Sequence, residues 1–237
     1  MDISGSTALV TGANRGIGRR FAEQLLERGA AKVYATARTP EAIDIPGVEV
    51  LQLDITDPES VAAAAVAAPD VTLLVNNAGV ATMSNLVTGD LDKIHLEMDT
   101  HFFGTLSVVR AFAPVLAVNG GGAIINILSA LSWFSTDGAT AYGAAKSAEW
   151  SLTNGIRLEL ARQGTLVTGV HLGAADTDIM AFYENKADLL DPAEVARIAI
   201  DGVEAGQIEV LVDDASKHVK ASLANDPSLF YQLPAQA

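Results

Sequence analysis

The chain contains no cysteine. Disulfides, thiolate-held metals and a cysteine nucleophile are therefore excluded. Aromatic residues are scarce at 5%, although 49% of the 237 residues are hydrophobic. The core must be built mainly from alanine, valine, leucine and isoleucine. Positive charge is also in short supply: 15 Lys and Arg face 29 Asp and Glu, a net charge of −14. The acids are scattered, which reads as a solvated surface and disfavours nucleic acid or anionic membrane as partners. No uninterrupted apolar run approaches the ~20 residues needed to cross a bilayer; Val61 to Ala68 stops at Pro69. The opening Met1-Asp2-Ile3-Ser4-Gly5-Ser6 has no basic segment followed by an apolar one, so no signal peptide and a cytoplasmic location are expected. No metal-ligand cluster is evident, and metal-assisted chemistry is not expected.

What is present is alternation. Strand-like runs at Ala8–Val10, Lys32–Ala37, Val48–Leu53, Val71–Val75, Ala123–Leu128, Leu166–Leu172 and Ile208–Val212 are separated by helical patterns. Asp57-Pro58 and Asp191-Pro192 read as capped helix starts, because Asp accepts from the first turn and Pro suits its opening position. Leu91, Ile94, Met98, Phe102, Leu106, Val109, Phe112 and Leu116 keep a helical period over many turns, and a second long helix is expected at about Ala141 to Ala161. The pattern predicts an α/β fold: a Rossmann-type doubly wound parallel sheet of about seven strands with helices on both faces. No repeat or linker interrupts it, so residues 1–237 read as a single domain with a polar tail from about 213. Ligands on such sheets sit at the carboxyl ends of the strands.

The first loop in that position is Thr11-Gly12-Ala13-Asn14-Arg15-Gly16-Ile17-Gly18. Glycines there allow close approach of a diphosphate, and the free N–H groups of the following helix face negative charge. The spacing is G-x-x-x-G-x-G rather than the familiar dinucleotide fingerprint. By itself it reads equally as a plain tight turn; the βαβ setting favours a cofactor. Asn76-Asn77-Ala78-Gly79 ends the fourth strand, and Tyr142-Gly143-Ala144-Ala145-Lys146 opens the second long helix. Ser129 lies thirteen residues before the tyrosine, with Ser132 a competing candidate.

In order and spacing these motifs resemble the short-chain dehydrogenase/reductase family over residues 7 to 180. The resemblance implies hydride transfer between a nicotinamide cofactor and a carbonyl or alcohol. Tyr142 would be the acid/base. Lys146, four residues on and on the same helix face, would lower its pKa from the usual value of about 10 and bond the nicotinamide ribose. Ser129 would hold the substrate oxygen and steady its developing charge. Gly12, Asn14, Arg15, Gly16, Ile17 and Gly18 would cradle the cofactor. Asp54 would contact the adenine with Ile55 beside the ring. Asn76, Asn77, Ala78 and Gly79 would form the floor, and Thr177 in Leu172-Gly173-Ala174-Ala175-Asp176-Thr177 would sit over the carboxamide. In relatives that loop begins with proline; Leu172 here puts its rigidity in question.

Relatives that use NAD carry an acid at the end of the second strand. Thr36-Ala37-Arg38 has none, and Arg15 adds a second cation, so NADP(H) is preferred over NAD(H). The larger departure is His101, which stands where the family has asparagine. Three readings stay open: His101 takes over a proton relay from Lys146 to solvent, backbone and water keep the relay without it, or the relay is impaired. His95 and His171 read as structural.

Leu131, Trp133 and Phe134, with Phe182 and Tyr183 in a lid at about 173–190, suggest a hydrophobic ketone or aldehyde, although these side chains could equally pack on one another. The resemblance also implies a homodimer or homotetramer through the two long helices. The alternative from another class is a nicotinamide-nucleotide-binding regulatory or scaffold protein with little turnover. Epimerase or dehydratase chemistry on a nucleotide sugar would need a larger substrate domain.

Overall fold

The computed structural model describes residues 1–181, 183, 185–229 and 231. Seven parallel strands form one sheet in the order β3-β2-β1-β4-β5-β6-β7: β1 (Thr7–Thr11), β2 (Lys32–Ala37), β3 (Glu49–Gln52), β4 (Leu73–Asn76), β5 (Ala123–Ile127), β6 (Leu166–His171) and β7 (Glu209–Leu211). The expected fold class is the observed one. Successive side chains of a strand point to opposite faces, and both faces are apolar. Val10, Val75 and Ile125 join the core under α1 (Gly16–Glu27) and α6 (Pro192–Glu204), where Phe21, Leu25 and Ile200 are fully buried. Leu9, Leu74 and Ile124 face the other way. They pack beneath α2 (Pro58–Ala67), α4 (Thr105–Val118) and α5 (Thr140–Leu160) through Val61, Phe112 and Ile156.

The two expected caps form. Asp57 accepts from the Glu59 amide at 3.0 Å and Asp191 from the Ala193 amide at 2.8 Å, each with proline at the helix opening. The first long helix departs from a regular period. α3 (Leu91–Met98) passes into a π-helical segment at Asp99–Gly104 before α4 resumes. Such widened turns commonly mark functional positions, and this one carries His101. By length and composition the 28-residue helix Leu91–Val118 could cross a membrane, a property no uninterrupted apolar run disclosed. Here Val108, Phe112 and Leu116 pack it onto the sheet.

After β7 the tail forms α7 (Asp214–Ser222), capped by Asp213, and a turn at Pro227–Leu229. The Ser135 amide donates to the Tyr231 hydroxyl at 3.1 Å, tying the tail to the body.

Candidate active site

The chain runs outward from β1 to β3 and then crosses to β4 and on to β7, so the connections that follow β1 and β4 leave in opposite directions. A cavity of about 750 Å³ opens there. Its wall begins with the glycine turn. Gly12 and Gly16 have φ of +66° and +54°, the left-handed region that glycine enters without strain. Arg15 precedes α1 with no side chain capping the first turn, so the N–H groups there are free for an anion. Gly18 lies behind this wall: a Cβ there would run into the Gly12 carbonyl oxygen and the Asn77 amide. Expected in the cofactor cradle, it permits helix and turn to pack and is not among the residues lining the cavity.

One side chain that the motif reading passed over holds this wall to the next. Buried Thr11 accepts from the backbone amides of Asn77 and Ala78 at 2.9 and 3.0 Å. The Asn77 side chain donates back to the carbonyls of Thr11 and Gly12 at 2.9 and 3.2 Å. Asn77, Ala78 and Gly79 therefore form a fixed floor. Asn76 does not join it. Its amide turns into the sheet and donates to Asn126, which donates to Thr153, each at 2.8 Å. Strand alternation sends Asn76 and Asn77 opposite ways.

Asn14, Ile17, Arg38, Asp54, Ile55, Gly173 and Thr177 line the same cavity. Asp54 accepts from both the amide and hydroxyl of Thr56, at 3.0 and 2.7 Å. Among the described residues Arg38 makes no ion pair, whereas Arg15 pairs with Asp178 at 2.6 Å. Both partners are about two-thirds exposed, so the pair contributes at most about 1 kcal/mol and yields readily to a stronger anion. The loop without its proline is pinned another way. The Gly173 amide donates to Asp213 at 3.0 Å, and Leu190 clamps the loop through its amide to the Ala174 carbonyl and its carbonyl from the Asp176 amide, both 2.9 Å.

At the far end Ser129, Tyr142, Lys146 and His101 converge. Ser129 follows β5 and accepts from the Leu131 amide at 3.1 Å. Ser132 is buried, and its hydroxyl turns back to accept from the Ser129 amide at 3.4 Å. Tyr142 and Lys146 stand one turn apart on α5, with the ammonium 5.9 Å from the phenol ring centre. The ammonium donates to the Ile127 carbonyl and to Glu149, both at 2.7 Å. Burial pushes the Tyr142 phenol up and Lys146 pulls it down, but with Glu149 opposing the lysine the phenol stays above its ordinary value. Glu149 was not singled out from sequence; its spacing of three after Lys146 was the available signal.

His101 is buried and stands edge-on to Tyr142, ring centres 5.4 Å apart. Its Nε2 lies 2.7 Å from the Val80 carbonyl. Burial, with Lys146 nearby, holds it well below the ordinary histidine pKa, so it is neutral. It does not bond Lys146 directly; Glu149 stands between it and the lysine, 3.7 Å from Nδ1. His171 is buried as expected, its Nδ1 bonding the Ser129 carbonyl at 3.1 Å, while His95 is exposed on α3.

The mouth beyond Ser129 carries Leu131, Phe134, Ile179, Met180 and Tyr183, with Thr136 and Asp137 beside them. Trp133 is not part of it: it stacks on His171 at 3.8 Å behind the wall. Phe182 lies outside the described residues.

A parallel sheet with this strand order, and a cleft over the edge where the chain reverses, is the architecture of a dinucleotide-dependent enzyme. Comparison with known proteins narrows the class: the short chain dehydrogenase family model matches residues 6–188, and the chain belongs to that family. It is an oxidoreductase fold in each comparison. A short chain dehydrogenase from Burkholderia cenocepacia in complex with NADP is 37% identical, with a TM-score of 0.93 and 98% of both chains covered. One from Sphingobium yanoikuyae in complex with NADPH is 26% identical at a TM-score of 0.80, again over 98% of each chain. An uncharacterized oxidoreductase of Staphylococcus saprophyticus is 31% identical over 215 residues, covering 84% of this chain and 92% of its own length.

Proposed function

We propose that the chain is an NADP(H)-dependent reductase of hydrophobic ketones or aldehydes, working also in reverse on the alcohols. The observation that carries this reading is the convergence of Ser129, Tyr142 and Lys146 at the junction of a dinucleotide-sized cleft and a mostly apolar mouth. The residues present fit the cofactor. The anion-facing helix start and the glycine turn suit a diphosphate. The uncompensated Arg38, with Arg15 on a labile ion pair, suits a 2′-phosphate, as do the NADP and NADPH of the neighbours named above.

When bound, the dinucleotide would supply the hydride for reduction and accept it in the oxidation. The chain supplies the rest. The Ser129 hydroxyl donates to the substrate oxygen and lowers the energy of its developing charge. Tyr142 transfers its phenolic proton to that oxygen as the carbonyl is reduced, and takes it back in the oxidation. Lys146 stabilises the phenolate so formed. The stretch 173–190 acts as a lid, and the apolar side chains of the mouth exclude water from the reacting carbon.

The test is consumption of NADPH against a panel of ketones and aldehydes, with Tyr142→Phe run beside the wild type. Turnover that falls at least about 100-fold in the variant, the scale of general acid catalysis, is the expected result. Turnover equal to wild type in Tyr142→Phe would remove the tyrosine from its role. NADPH binding without turnover on any carbonyl would favour a regulatory protein instead.

A further inference from the structure

Four buried polar side chains meet behind Tyr142. Glu149 is 2% exposed, Lys146 5%, His101 1% and Thr105 2%. The Glu149 carboxylate is fully engaged by two of them: Oε2 accepts from Lys146 at 2.7 Å and Oε1 from the Thr105 hydroxyl at 3.1 Å. The fourth group defines the charge state. The Val80 carbonyl can only accept, so Nε2 of the neutral His101 carries its hydrogen, leaving Nδ1 a bare lone pair. Nδ1 is buried without a partner and faces Glu149 Oε2 at 3.7 Å. Two acceptors facing each other stand apart at that distance, as an ionised carboxylate and a neutral imidazole must. The Lys146–Glu149 unit is thus a buried ion pair, and His101 adds no charge to it.

An ammonium lowers the pKa of a nearby phenol only to the extent that its field is not cancelled. We propose that Glu149 is a positioning residue of this site, which pins Lys146 against the Ile127 carbonyl and cancels much of its field at Tyr142, so that the tyrosine remains a proton donor into the alkaline range. The proposal rests on the reading of Tyr142 as the acid/base. It sets the pH window of that reaction: reduction, which needs the phenol, persists to high pH, and oxidation, which needs the phenolate, rises only above it.

Among the described residues the charged or titratable groups acting on Tyr142 and Lys146 include Glu149 on α5, the neutral His101 on the π-helical segment, the buried Glu97 on α3 and the buried His171 on β6, and the turn after β5 adds the Ser129 hydroxyl. Glu97 is held by the amide and hydroxyl of Thr82, both at 2.6 Å, and its negative charge acts on the phenol in the same direction, but more weakly than that of Glu149.

The experiment is an ultraviolet tyrosinate titration of the cofactor-free protein. Subtracting the Tyr142→Phe curve isolates Tyr142 from the other tyrosines. Glu149→Gln can keep both contacts of the carboxylate in kind: an amide oxygen in place of Oε2 accepts from Lys146, and the amide nitrogen in place of Oε1 donates to the Thr105 hydroxyl, which can accept as well as donate. The expected result is a Tyr142 midpoint lower by about one to two pH units, and an alkaline limb of reductase kcat/KM moved down by the same amount. The double variant Lys146→Met/Glu149→Met, which removes both charges, is expected to titrate close to wild type. A Tyr142 midpoint unchanged in Glu149→Gln, or a double variant displaced as far as the Gln variant was expected to be, would overturn the proposal. A solely structural Glu149 would lower stability and leave the titration in place. Retained turnover in Tyr142→Phe would instead defeat the parent reading, and the titration would still report on Glu149.

Discussion

Thr11→Val tests whether the floor of the cleft is held by a single hydroxyl. The substitution preserves shape and removes only the oxygen. In the wild type that oxygen accepts from the amides of Asn77 and Ala78 at 2.9 and 3.0 Å and donates to the Val75 carbonyl at 3.3 Å, at a site 1% exposed. Valine leaves both amides facing a methyl group in place of the hydroxyl. Each buried N–H left unpaired costs about 1–3 kcal/mol, and the added apolar burial returns under about 1 kcal/mol. A net loss of about 1–5 kcal/mol follows, which in a chain of this size lowers Tm by roughly 2–20 °C. Thermal and urea unfolding of the cofactor-free protein measure it, with Thr11→Ser, which restores the acceptor, expected to lie near wild type. NADPH binding should weaken as well, because Asn77 and Ala78 lose their anchor. A Val variant that unfolds within about 2 °C of wild type would show that the amides find other partners and that Thr11 does not set the floor.

Two further outcomes are expected. Arg38→Asp should reduce the NADPH-to-NADH ratio of kcat/KM by about 10- to 100-fold, the value of one charge-assisted hydrogen bond; an unchanged ratio would leave Arg15 as the determinant. His171→Gln should flatten the acid side of the stability curve. Burial, aided by Lys220 and Lys146, holds His171 at about 4 in the fold against an ordinary 6.5. Above pH 6.5 it contributes no pH dependence. As pH falls from 6.5 towards 4 the unfolded chain takes up a proton that the fold excludes, so stability declines by up to about 1.4 kcal/mol per unit and about 3 kcal/mol in all. Urea unfolding at pH 7, 6 and 5 measures both slopes, and parallel curves for wild type and variant would refute the assignment.

The sequence by itself determined the sheet, because alternating apolar strands buried on both faces and separated by helical periods have one economical arrangement, and punctuation such as Asp57-Pro58 and Asp191-Pro192 is local chemistry. It also determined which residue types surround the cleft, since glycines at a turn and a Tyr/Lys pair one helical turn apart are legible as spacing. Tertiary structure decided what spacing does not encode: which way a side chain faces and what stands opposite it. Asn76 turned into the sheet while Asn77 became the floor, Trp133 went behind the wall to His171, and Gly18 proved to be a packing glycine. The widened turn at Asp99–Gly104 carries His101 to Val80, leaving Glu149 between it and Lys146. A helix fixes that Glu149 lies on the same side as Lys146; only packing against a second helix fixes that both are buried, and burial is what makes their charges matter to Tyr142.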